Sequence, residues 1–192
     1  MITLMNWLRA IQPISTELGD RLEDVIRVKL IAKKDYILKT GQVCRNIYFV
    51  EKGLLRTFYF QGGKTISSAF TKENEICVSL ESFYSQQYGM ECIQAVDDTD
   101  LSYISYEHYQ ELNTNFPEFN AICRLLLERC HVAKEQRLKA MWMQSAGDRF
   151  KWIMDQQPDL VLRVPGKYLA SYIGTTEGML SNIKGRPRNR YK

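Results

Sequence analysis

The end of the chain concentrates side chains that can touch a polyanion. Ser181 and Asn182 carry short groups able to hydrogen-bond to base edges, and Lys184, Arg186, Arg188 and Arg190 can neutralise phosphates. Thr175, Thr176 and Glu177 stand just before them; an acid such as Glu177 would accept from a cytosine amine rather than meet a phosphate. The final nine residues, KGRPRNRYK, hold five basic groups and no acidic one. Residues 1–114 carry 12 Lys/Arg against 15 Asp/Glu, whereas residues 115–192 carry 14 against 7. An acidic front and a basic back suggest that the back meets a polyanion, the alternative being a solubilising tail.

Other chemistry is thin. The five cysteines (Cys44, Cys77, Cys92, Cys123, Cys130) are odd in number, and no pair has zinc-site or disulfide-framework spacing. Buried free thiols are expected. His108 and His131 are too few for a cupin-type metal site. Gln61-Gly62-Gly63-Lys64 reads as a hairpin turn, because glycine supplies the positive φ that tight turns demand; its spacing is wrong for a phosphate loop. With no nucleophile–base pair in view, neither an enzyme nor a cofactor is expected.

The elements that must position the basic end can be read from periodicity. Residues 3–11 and a stretch capped by Ser15 have helical apolar spacing. Between about 28 and 105, short β-type runs alternate with turn signals at roughly 8–12-residue spacing, the mark of a sandwich or jelly roll. Residues 106–112 suit a short helix, and residues 118–143 a long one. The long helix has a seam at Phe119, Cys123, Leu126, Cys130, Ala133, Arg137 and Ala140, in alternating steps of four and three. A second strip (Ile122, Leu125, Val132) lies to one side. One face would dock on the chain's own barrel and the other on a second copy, unless both are internal core. A helix from Ser145, a short strand over residues 160–164 and a helix starting near Pro165 follow. Gly174 ends that helix, and Thr175 or Thr176 caps the last one. Two short helices joined by a glycine turn, with Leu169, Ala170, Leu180 and Ile183 as their inner residues, have the layout of a helix-turn-helix.

With these motifs in order, the chain resembles the Crp/Fnr family of bacterial transcription regulators. IYFVEKG (47–53), GGK (62–64), DDTDLSYIS (97–105) and VPGKYLASYIGTTEGMLSNIKGR (164–186) carry the resemblance. It implies an α+β chain: a double-stranded β-helix (jelly-roll) sensor over residues 1–115, a dimerisation helix over 116–143 and a helix-turn-helix domain over 144–192. It also implies a homodimer reading a two-fold operator in double-stranded DNA, with half-sites about one helical turn (roughly 34 Å) apart. RNA polymerase and a small-molecule effector of unknown identity are further candidate partners. Apolar runs reach only about four residues, far short of the roughly 20 of a membrane span. The N-terminus lacks a secretory pattern, so a cytoplasmic location is expected.

The sequence departs from the family at the ligand. Members that bind cyclic AMP hold its phosphate with a Gly-Glu pair and a later Arg followed by Ser or Thr. The matching segment, residues 73–96, has no Gly-Glu, and Gly89-Met90 falls where the arginine would be. No arginine lies between Arg56 and Arg124. A buried cyclic phosphate would lack its guanidinium, so tight cyclic-nucleotide binding is not expected. Phe83, Tyr84, Tyr88 and Met90 point instead to an apolar or aromatic ligand, or to none. Iron–sulfur sensing lacks its N-terminal cysteine cluster, and nothing places a histidine for haem. Gly178 also leaves the last helix short of long donors. A ligand-binding or protein-interaction module that kept the fold and lost operator binding is therefore the alternative.

Overall fold

The computed structural model describes residues 3–142 and 145–185. Two helices lead, α1 (Leu4–Ile11) and α2 (Thr16–Val25). Each is started by a hydroxyl that accepts from a first-turn amide: Thr3 from Asn6 N–H and Ser15 from Leu18 N–H. Eight strands follow among the described residues: β1 (Arg27–Ile31), β2 (Tyr36–Leu38), β3 (Asn46–Lys52), β4 (Leu54–Gln61), β5 (Lys64–Lys72), β6 (Ile76–Cys77), β7 (Cys92–Ala95) and β8 (Thr99–Ser105). They form two antiparallel four-stranded sheets, ordered β1-β8-β3-β6 and β2-β7-β4-β5.

Glycine is required at two turns. Gly62 and Gly63 both have positive φ (55° and 73°), as the two-residue β4–β5 hairpin needs. Gly53 joins β3 to β4 at φ +103°, and a Cβ there would lie 2.5 Å from Thr99 Oγ1.

Between the sheets lies one core, with Phe49, Val50, Leu55, Ile93 and Leu101 almost fully buried. Leu8 of α1 and Leu18 and Leu22 of α2 close one end of it, and Trp7 packs 5.1 Å from Phe49. A one-and-a-half-turn helix, α3 (Leu80–Ser85), interrupts the strands and drops Phe83 into this core. Its six residues are too few to show helical periodicity, so the sequence reading passes over it.

After the sheets, α4 (Tyr106–Asn115) runs to Asn115 rather than stopping near residue 112. Asn113 and Thr114 donate to the carbonyls of Tyr109 and Gln110, one turn back, so they continue the helix instead of breaking it. Pro117 then starts the long α5 (Pro117–Met141), where its missing N–H costs nothing. Four shorter helices follow: α6 (Ala146–Gln156), α7 (Pro158–Arg163), α8 (Gly166–Tyr172) and α9 (Glu177–Gly185).

The expected strand over residues 160–164 is the helix α7. An alternating strand would bury Leu160, Leu162 and Val164 together. Instead Leu160, Val161 and Val164 are buried while Leu162 is 88% exposed. Pro158 at the first helical position and contacts with neighbouring helices override the β-branched composition.

The C-terminal helices share their core with the sheet. Leu54, Phe70 and Val96 join Ile153, Leu160, Leu169, Ile173 and Leu180 in a second cluster. Around it, Arg163 forks onto Glu73 at 2.8 and 3.0 Å and also reaches Gly53 O, while Lys72 meets Asp159 at 2.8 Å. The Arg163 guanidinium holds the Glu73 carboxyl well below its usual range, at about 2. A carboxylate whose folded pKa is depressed stabilises above its unfolded value and loses that contribution as pH falls. Wild-type thermal stability should therefore fall between about pH 4.5 and pH 2 more steeply than that of Glu73→Gln. Parallel melting curves for the two proteins across that window would count against this ion pair.

Candidate nucleic-acid interface

The helix pair α8–α9 is built on a small fixed core. Leu169, Ala170 and Leu180 are buried and Ile183 is half-buried, as their spacing predicts. Ala170 is small enough to let the two helices approach. Gly174 makes the turn at φ +68°, and Thr175 N–H donates to Ala170 O. Thr176 Oγ1 then accepts from Met179 N–H and so caps α9. Two arginines from outside the pair grip the turn. Arg149 of α6 donates to the carbonyls of Ile173 and Gly174, and Arg137 of α5 donates to Tyr172 O while stacking on its ring at 3.9 Å.

This packing leaves one side of α9 to solvent. Thr176, Glu177, Ser181, Asn182 and Lys184 are exposed and Thr175 is half-buried. Glu177, Ser181 and Lys184 follow the i, i+4, i+7 line, with Gly178 and Asn182 beside it. Glu177 turns its carboxylate toward the start of α8: a Cβ on Gly166 would sit 3.3 Å from Glu177 Oε1. Ser181, Asn182 and Lys184 are the outward-facing donors that remain. Arg186, Arg188 and Arg190 lie outside the described residues. α8 itself lies against β5, where Ser67 and Ser171 hydroxyls are 2.7 Å apart, so the pair is seated on the sheet by the helix that does not carry these donors.

Part of the long-helix seam is taken up within the chain. Phe119 belongs to the core between the sheets, Cys123 and Leu126 pack on it, Arg137 reaches Tyr172, and Ala140 is buried. Cys130 is half-buried and Ala133 exposed. Of the second strip, Ile122 is buried in that same core, whereas Leu125 is half-exposed and Val132 is 55% exposed.

Of the four residues expected at a sensor pocket, Tyr88 lines a cavity. A cavity of about 440 Å³ lies between residues 37–48 and Tyr88, bounded by Leu38, Cys44, Arg45 and Tyr48. Phe83 belongs to the core, edge-on to Tyr84, Tyr106 and Tyr109 at 5.2–5.5 Å. The Tyr84 hydroxyl is 2.9 Å from that of Tyr109, and Met90 is exposed at 74%. In residues 73–96, where the family's phosphate contacts would fall, buried Ser79 donates to a carboxylate, Glu91, at 2.6 Å. Burial pushes the Cys77 thiol up to about 12 and Cys123 to about 11, which leaves them unreactive near neutrality. Among the described residues no group of three or more potential ligands is placed to hold a metal ion, and no helix is long and apolar enough to cross a membrane.

Solved structures identify this architecture. A chain from Eubacterium rectale described as a transcriptional regulator of the Crp/Fnr family superposes with TM-score 0.73 at 16% identity, over 91% of this chain and 85% of that one. The chain has the Crp/Fnr fold. CooA from Carboxydothermus hydrogenoformans matches with TM-score 0.69 at 18% identity, over 96% of this chain and 84% of its own. FixK2 from Bradyrhizobium japonicum matches with TM-score 0.72 at 14% identity, over 83% of each chain. No protein-family model and no curated protein matches the sequence.

Within this Crp/Fnr fold, sequence reasoning missed Arg56. It is 2% exposed on β4, sandwiched between the rings of Phe58 (4.2 Å) and Tyr168 (3.9 Å), and donates to Ser67 and Thr65. Nothing in its one-dimensional context marks an arginine in a strand as buried. The placement of the aromatics is testable by urea denaturation. Phe83→Ala should cost about 3–5 kcal/mol and Tyr88→Ala, at an exposed cavity rim, no more than about 0.5 kcal/mol. Equal losses would return Phe83 to the cavity.

Proposed function

We propose that the protein is a homodimeric transcription regulator of the Crp/Fnr type that reads a two-fold operator in double-stranded DNA. The observation that carries this reading is α9: its inner side is fixed by Leu180, while Ser181, Asn182 and Lys184 stand exposed together on a short capped helix. Serine and asparagine suit base edges and lysine suits phosphate. Arg186, Arg188 and Arg190 follow in the sequence and would add phosphate contacts. The division into sensor (1–115), long helix (116–143) and DNA-binding unit (144–192) is part of this proposal, as are a cytoplasmic location, the absence of enzymatic activity and RNA polymerase as the partner acted upon.

A second copy would meet the long helix on the strip of Leu125 and Val132. Phe119 and Leu126 are taken by the sheet core, and Arg137 and Ala140 pack toward the helix pair or are buried. The effector would be something other than a cyclic nucleotide. Residues 73–96 contain no cation, and the Glu91 carboxylate bonded to Ser79 would repel a phosphate nearby. Isothermal titration with cyclic AMP should show no micromolar binding.

The interaction-module alternative draws on Gly178 and on the turned-back Glu177, which leave α9 few long donors. Fluorescence anisotropy on two-fold promoter DNA across a salt series separates the two. The full chain should bind with strong salt dependence, and a chain ending at Gln157 should not bind. Lys184→Ala should lower the salt slope by about one per contacted phosphate. Val132→Glu should sediment as a monomer and lose most of its affinity. Equal binding by the shortened chain, or none by the full one, would leave the module reading in possession.

A further inference from the structure

Residues 86–91 join α3 to β7 and are tied down along their length. Gln86 has a left-handed backbone at φ +54°, a conformation that costs free energy for a residue with a Cβ. Its side chain offsets this by donating from Nε2 to Phe83 O at 2.6 Å. Gln87 O accepts from Ser82 Oγ at 2.6 Å, and that same hydroxyl accepts from Cys44 N–H at 2.9 Å. Gly89 exchanges backbone bonds with the β2–β3 connection: its N–H donates to Gln42 O and its O accepts from Gly41 N–H. It also lies close against α3, where a Cβ on Gly89 would sit 3.1 Å from Ser82 Cβ.

This strap ends on a charge. Ser79 is 2% exposed and precedes α3, yet its hydroxyl does not cap that helix. It donates instead to Glu91 Oε2 at 2.6 Å. A hydroxyl–carboxylate bond of this length is charge-assisted and about twice as strong as a neutral one. Glu91 has no cation to answer it. Residues 73–96 contain no Lys, Arg or His, and among the described residues no basic group lies within 4.0 Å of its carboxylate. Among the described residues, no buried side-chain polar atom of residues 79–91 is left without a partner. A small anion would find no free buried side-chain donor in this segment, because the chain's own carboxylate has taken it.

We propose that Glu91 is a built-in anionic ligand of the sensor: its carboxylate, held by Ser79, closes residues 86–91 over α3 and fixes that segment without a small-molecule effector. The closed strap keeps α3 seated, with Phe83 fully buried in the core between the sheets. A free anion competes poorly for Ser79, because the tethered carboxylate gives up no translational freedom when it binds. The state of this segment is thus set by the sequence and not by a metabolite. The latch belongs to the sensor role proposed above, yet its test contains no DNA, so failure of the one is distinguishable from failure of the other.

Hydrogen exchange of the full chain, read by mass spectrometry, tests it. In native protein dialysed exhaustively, residues 80–91 should exchange as slowly as before dialysis. Glu91→Ala should speed their exchange by about tenfold or more, and Ser79→Ala should do the same, with no further gain in the double variant. Gly89→Val, which lifts the strap by crowding Ser82, should reproduce the effect without removing the carboxylate. Exchange in β4 should stay unchanged in every variant, which shows that they fold. Formate at about 100 mM should slow exchange several-fold in Glu91→Ala, and sodium chloride at the same concentration should not. Faster exchange after dialysis, wild-type rates in any of the variants, or equal effects of the two salts overturns the proposal.

Discussion

The arrangement of this chain depends on a buried arginine with no carboxylate within ion-pair distance among the described residues. Arg56 projects from β4 toward the C-terminal helices, the same side as its cross-strand neighbour Phe70. Burial lowers its pKa from the ordinary value, a sign that the charged form is held away from water. Its compensation comes from two aromatic faces and two hydroxyls: Phe58, Ser67 and Thr65 from the sheet, and Tyr168 from α8. A desolvated cation–π contact is worth about 2 kcal/mol and a hydrogen bond to a charge about 1.5–3 kcal/mol, whereas burying the ion costs several. Without α8 one of the two rings is lost and the cation is under-compensated. The guanidinium therefore favours this seat for the helix pair over others of similar apolar area.

The peripheral ion pairs reinforce the same seat without defining it. Arg163 and Lys72 bridge the helices and the sheet with their side chains about one third exposed, where screening by water and salt reduces each pair's worth. The apolar contacts of Leu54, Phe70 and Val96 supply area but little direction. Ser67 adds direction: its hydroxyl accepts from Arg56 and lies 2.7 Å from Ser171, so one side chain reports the register of β5 to α8.

What was legible in the sequence follows from how far each signal reaches. Caps and turns are local, so Ser15, Gly62-Gly63, Pro117 and Gly174 mark the ends of elements correctly from a few residues of context, and of the two threonines offered as the last cap Thr176 is the one that bonds. The β-type runs from 28 to 105 and the inner residues of α8–α9 are likewise periodic over short windows. The failures are tertiary. Residues 160–164 look like a strand because Val161 and Val164 are β-branched, yet their burial is set by α6 and α8. The heptad seam of α5 is real as a pattern, but periodicity does not say who covers it: the sheet core takes Phe119, Cys123 and Leu126 and Arg137 reaches Tyr172, while Ala133 stays exposed. Phe83 and Arg56 each depend on partners far away in sequence, so neither its core position nor its burial has a local signature.

The grip on the helix-turn-helix turn has a mechanical consequence. Arg137 from α5 and Arg149 from α6 hold successive carbonyls at Tyr172, Ile173 and Gly174, on the segment that leads directly into the α9 cap. A shift at the C-terminal end of α5 therefore has a short, polar and directional route to α9 through the Arg137 guanidinium. A ligand acts through such a route only by as much as its affinity differs between two positions of the helices. The turn contacts are carbonyl-directed and so tolerate little sliding, whereas the α8–β5 seat combines slippery apolar area with the demanding Arg56 sandwich. Motion that preserved the turn but broke the sandwich would strand a buried charge.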